Sequence, residues 1–179
     1  MPLPAGVETA NFGNIAVGPQ GQVAVALMDT SEGTSQGPGH IYVAINPDNR
    51  TSDDFQTPQL VTTTNWGWHI RVPSAYNYRA TSAQPFVVYD NSSGPFNGRL
   101  YLSYLDSPAV GNAHSSVYVR HLDSGATIWS EPVKVSIGDG DLGTAFMHVY
   151  EVRPRKGKRC TSGFSFPALP DRNRRKIKP

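Results

Sequence analysis

Long apolar runs are missing from this 179-residue sequence. No stretch approaches the roughly 18 apolar residues of a membrane-spanning helix. The start, Met1-Pro2-Leu3-Pro4-Ala5-Gly6, lacks the basic opening and apolar segment of a secretory signal. Cysteine is almost missing: Cys160 stands alone, so no disulfide within the chain staples the fold. The histidines, His40, His69, His114, His121 and His148, lack the close spacing that holds zinc. No glycine-rich loop runs from a strand into a helix, and no Ser/His/Asp arrangement is readable. No cofactor is therefore expected. Before residue 150 no segment longer than a turn repeats apolar residues every 3.6 positions, which excludes amphipathic helices.

What is present suits an all-β protein. Apolar residues make up 38% and charged residues 17%, with 17 Gly and 15 Pro as punctuation. Two segments share one order of features. The first runs Ile15-Ala16-Val17, Gln22 to Asp29, His40 to Ala44 and Pro58 to Val61. The second runs Phe86 to Asp90, Gly98 to Asp106, Ser116 to Arg120 and Pro132 to Val135. Each reads as four short strands rich in Val, Ile, Leu and Tyr, separated by Gly, Pro, Asn, Asp and Ser. The expected fold is two consecutive four-stranded antiparallel units of propeller-blade type. A single eight-stranded sandwich would use the same strands. Imperfect alternation in the first strand of each unit predicts inner strands buried on both faces.

The expected organisation is a lead-in over 1–12, a first unit over 13–64, a connector over 65–83, a second unit over 84–146 and a tail over 147–179. The connector holds Trp66, Trp68, Tyr76 and Tyr78, too aromatic for a loose linker. Charge divides the chain. Residues 1–150 carry six Lys and Arg against twelve Asp and Glu, a net of −6; residues 151–179 carry ten against two, a net of +8. The overall excess of positive charge belongs to the tail, so it is no argument for a nucleic-acid partner. The tail alone is the candidate for binding nucleic acid or another anion. It lacks apolar periodicity and is expected to be disordered. Its abrupt start near Tyr150 reads as an interruption, as a shifted reading frame or a misplaced gene end would produce.

The second unit resembles the sialidase-like, Asp-box (BNR-repeat) β-propeller family. The likeness lies in Gln84 to Asp90, Gly98 to Asp106, Val117 to Arg120 and Asp123-Ser124-Gly125-Ala126-Thr127-Ile128-Trp129-Ser130. The family's box reads Ser-x-Asp-x-Gly-x-Thr-Trp. Asp123, Gly125 and Thr127 are in register, His121 replaces the Ser, and Trp129 arrives one residue late. The box is a structural turn between third and fourth strands: Asp accepts turn amides, Gly takes a conformation other residues resist, and Trp plugs the core.

The resemblance implies a family that is commonly secreted or cell-surface and acts on sugars. It implies one substrate-gripping Arg, for which Arg71 in Ile70-Arg71-Val72-Pro73 is the candidate, because a guanidinium binds a carboxylate bidentately. It also implies an acid after a second strand, for which Asp106 is the candidate. No Tyr–Glu pair of the sialidase kind can be assigned. The chain is therefore expected to be a non-catalytic fragment, with Trp66 and Trp68 as candidate glycan-binding aromatics. The alternative is a glycosidase active only as a longer product or an oligomer. Asp139 and Asp141, in Asp139-Gly140-Asp141-Leu142-Gly143, are the candidate cation ligands, against an ordinary turn. Two units leave open faces, so self-association is expected. No membrane partner is expected.

Overall fold

The computed structural model describes residues 7, 9–29, 35–47, 55–68, 70–71, 80–112 and 114–136. The described residues form strands and turns, with no helix among them. Strands β1 (Ala10–Val17), β2 (Val23–Asp29), β3 (Gly39–Asn46) and β4 (Gln59–Thr64) form one antiparallel sheet in sequence order. Strands β5 (Ile70–Arg71) and β6 (Ala80–Thr81) pair in the connector. Strands β7 (Phe86–Tyr89), β8 (Leu100–Asp106), β9 (Ser116–Leu122) and β10 (Val133–Lys134) form a second antiparallel sheet, again in sequence order. The fold is thus all-β with two four-stranded sheets.

Local chemistry sets the turns. Between β1 and β2, Gly21 takes a φ of 85°, and Gly18 N–H donates to Gln22 O at 2.8 Å. Between β7 and β8 the loop is closed by Asp90. Its N–H donates to Arg99 O and its O accepts from Gly98 N–H, each at 2.8 Å. Its carboxylate also accepts Ser92 N–H at 2.8 Å, an Asx turn that satisfies a buried acid.

Alternation then chooses the faces. Residues opposite one another in a ladder point to the same side of the sheet. On the first sheet Ala24, Ala26 and Met28 of β2 share a face with Ile41 and Val43 of β3. On the second, Val87 and Tyr89 of β7 share a face with Leu100 and Leu102 of β8, and Tyr104 follows them. All are buried, in one apolar core with Trp66, Ala83 and Trp129. Small Ala24 and Ala26 sit in the same core as bulkier Leu102 and Tyr104, the large–small complementarity that dense packing requires.

The two sheets are joined by specific polar contacts. Val87 N–H donates to Asn14 Oδ1 at 3.0 Å, and Asn91 Nδ2 donates to Val17 O at 3.1 Å. With Asn14 beside Val87 and Val17 beside Asn91, β1 and β7 run alongside each other in the same direction. Gln59 Nε2 donates to Thr127 O at 3.3 Å.

One expectation about the first strands is corrected. Neither is buried on both faces: β7 buries Val87 and Tyr89 on one face but only half-buries Phe86 and Val88 on the other, and β1 leaves Ile15 65% and Val17 56% exposed. β1 is covered on the side that faces the second sheet and open on the other. The residues of the basic tail, with its expected disorder, lie outside the described residues.

Candidate functional site

The ends of β4 and β8 meet, and among the described residues the densest polar bonding between the sheets is there. Asp106 closes β8, and its Oδ1 accepts Asn65 N–H and Ser107 N–H, each at 2.8 Å. Thr64 Oγ1 lies 3.0 Å from the same carboxylate oxygen and 2.7 Å from Leu105 O. A hydroxyl has one proton to give, and the nearer Leu105 O takes it. Thr64 Oγ1 in turn accepts Trp66 N–H at 3.0 Å, and Asn65 Nδ2 donates to Ser107 O at 2.9 Å. Asp106, the candidate acid, therefore both starts a turn and brackets one sheet to the other.

The bracket positions the two tryptophans differently. Trp66 is fully buried, and its Nε1 has no hydrogen-bond partner among the described residues. An indole enclosed in the core offers no face to a sugar, so Trp66 is a core plug and not the open platform expected of it. Gly67 follows, with its N–H donating to Gln36 O at 3.1 Å. A Cβ at Gly67 would run into Ser35 O, Gln36 C and Gly37 N, so only glycine lets the two backbones approach this closely. Trp68 comes next and is 39% exposed. A buried anchor, a close-packed glycine and an exposed indole stand in a row.

Arg71, the candidate carboxylate-gripping residue, lies in β5 with its backbone opposite Ala80; its side chain is outside the described set. Asp139 and Asp141, the candidate cation ligands, also lie outside the described residues.

The turn after β9 holds Asp123, Gly125, Thr127 and Trp129. Gly125 has a φ of 78°, and Ala126 N–H donates to Asp123 O at 2.9 Å. Trp129 is buried in the core. Asp123 differs from expectation. Its carboxylate meets Arg99, with Oδ1 2.6 Å from both Nε and Nη2, and the turn is closed by backbone alone. The reason is register: Leu100 stands opposite Leu122, which brings the preceding Arg99 level with the following Asp123. Arg99 also lies over the Phe96 ring, 4.1 Å from its centroid. Burial opposes its charge, but bonds to Asp123 and Tyr101 outweigh it and raise the guanidinium pKa. Opposite charges just outside two paired leucines were the signal in the sequence.

Two tyrosines carry shifted phenols. Burial pushes Tyr89 up to about 12. Burial also raises Tyr118, helped by the negative charge of Asp106 and by Tyr104. Tyr104 and Tyr118 stack with centroids 6.0 Å apart. On the same strand Arg120 Nη1 donates to Ser130 O at 2.7 Å, while its buried Nε has no partner among the described residues.

Neither a protein-family model nor a curated protein matches this chain.

Proposed function

We propose that this chain is a sialidase-like, Asp-box β-propeller unit that binds glycans without cleaving them. Two sheets of four strands in sequence order, with first strands side by side and codirectional, support blade-type stacking. A glycine-bearing turn between third and fourth strands, followed by a buried Trp129, supports the Asp-box reading.

The observation that carries the glycan-binding reading is Trp68. Its indole stands at the surface, next in the chain to Gly67, which is packed against the 35–37 turn, and to buried Trp66. A rigid aromatic face of this kind stacks on the C–H face of a sugar, while amides and hydroxyls at its rim take the sugar's hydrogen bonds. Asp106 supports the absence of cleavage. Its Oδ1 is held by Asn65 and Ser107 backbone amides and is committed to the bracket.

Titration calorimetry of the full chain with sialylated and neutral oligosaccharides tests this. Binding is expected, and Trp68→Ala is expected to abolish it while the circular dichroism of the folded chain is retained. A fluorogenic sialoside is expected to remain intact. Equal sugar affinity in Trp68→Ala would refute the binding site, and turnover of the sialoside would favour the glycosidase reading.

A further inference from the structure

The two sheets can be superposed in register. Asp29 and Asp106 both end the second strand of their sheet. Aligning them places Ala26 on Ser103, Val25 on Leu102 and Val23 on Leu100. Ile15 pairs with Val25, and Val87 with Leu102; Val17 pairs with Val23, and Tyr89 with Leu100. Ile15 is therefore the counterpart of Val87, and Val17 of Tyr89. Val87 and Tyr89 are 2% and 4% exposed, whereas Ile15 and Val17 are 65% and 56% exposed.

The same alignment shows which faces meet. The buried face of the first sheet, Ala24, Ala26 and Met28, corresponds to the face of Tyr101, Ser103 and Leu105 on the second. The buried face of the second, Leu100, Leu102 and Tyr104, corresponds to the outer face of Val23, Val25 and Leu27 on the first. Unlike faces meet at the junction within the chain, which makes it a head-to-tail contact. Two outer faces remain, and they are again an unlike pair. One carries exposed Ile15, Val17 and Leu60; Leu60 joins it because it stands opposite Tyr42, which stands opposite Leu27. The other is already covered at one end, where Ser103, Leu105 and Val117 are buried, and its uncovered part carries half-buried Phe86, Val88, Tyr101 and Val119 with exposed Val133. Apolar faces of this kind mark interaction surfaces.

We propose that the occupant of each outer face is a second copy of this chain, stacked head to tail, with the second sheet of one copy covering the first sheet of the next. The contact would join the parts of the two faces left uncovered in the single chain, Ile15, Val17 and Leu60 on one side and Phe86, Val88, Tyr101 and Val133 on the other. It is heterologous, not two-fold symmetric. It rests on the paired registers and burial, and not on the glycan-binding reading.

Light scattering on the eluting full chain, across a concentration series, reads the result. The expected mass is a multiple of the 19.5 kDa chain. Val17→Asp blocks one outer face and Val133→Asp the other, both at exposed positions that leave the sheets folded, as circular dichroism checks. Each variant alone is expected to run as a single chain, because neither retains both faces. Mixed one to one, they are expected to form a heterodimer that grows no further, since one intact face of each kind remains. A wild-type chain that stays monomeric at its highest soluble concentration overturns the proposal, and so does a mixture that remains monomeric. A monomer that still binds sugar overturns this proposal alone.

Discussion

Asp106 Oδ1 accepts the Asn65 backbone N–H at 2.8 Å, across two strands that belong to different sheets. The bond crosses from the last residue of β8 to the first residue after β4, where the two strand ends converge. A charged acceptor held by two backbone amides contributes about 1.5–3 kcal/mol per such bond, net of lost solvation. Asp106→Ala is expected to lower stability by about 2–4 kcal/mol, because it leaves the amides of Asn65 and Ser107 without an acceptor. Asp106→Asn keeps an oxygen in place and is expected to cost less than Ala. Urea unfolding of both variants checks the order.

Gly67→Ala addresses the close approach below Trp68. The added methyl meets backbone atoms of Ser35 to Gly37, and backbone cannot swing aside as a side chain can. Overpacking of this type costs about 1–3 kcal/mol. The expected outcome is a lower urea midpoint together with altered Trp fluorescence, since both neighbours of Gly67 are tryptophans.

Arg99 and Asp123 form an ion pair whose acid is largely exposed. Exposed pairs couple by about 0.2–1 kcal/mol in double-mutant cycles. Arg99→Ala, Asp123→Ala and the double variant are expected to give a coupling within that span, shrinking as salt is added. Arg99→Ala is expected to lose more than its partner does, because it also leaves the Phe96 ring.

Stability is expected to fall in alkali through Tyr89. The unfolded phenol ionises near 10.0, and the folded one only near 12. Below pH 10 both states are protonated and the full stability is present. As pH rises through that interval the unfolded chain sheds a proton that the folded chain keeps, so stability is lost progressively up to the folded pKa. Tyr118 is raised as well and acts in the same direction. Tyr89→Phe is expected to flatten the decline, as read from urea midpoints measured at increasing pH.

The strands of both sheets were legible because their Val, Ile, Leu and Tyr runs recur in one order with turn residues between them. The short pair β5–β6 was not legible: two residues per strand leave no alternation to read. Trp66 and Trp68 looked alike in sequence and part company in space, because a two-residue step can face core or surface depending on Gly67 and the Gln36 carbonyl. Asp106 was readable as a strand-ending residue, but its bond to Asn65 joins positions 41 apart, which no local pattern encodes. Asp123 was read through its own turn, and its actual partner came from the neighbouring strand by register. Arg71 is placed by its backbone only, in a pairing with Ala80 that the sequence did not suggest.

The bond from Val87 N–H to Asn14 Oδ1 has a consequence for how the protein behaves outside its native state. β7 is the terminal strand of its sheet, so the N–H groups along its free side are templates for any extended peptide that drifts alongside. Asn14 occupies one of them with a side-chain carbonyl, which imitates a neighbouring strand for a single hydrogen bond and cannot continue the ladder. Fibril-type recruitment along that margin would have to displace it first.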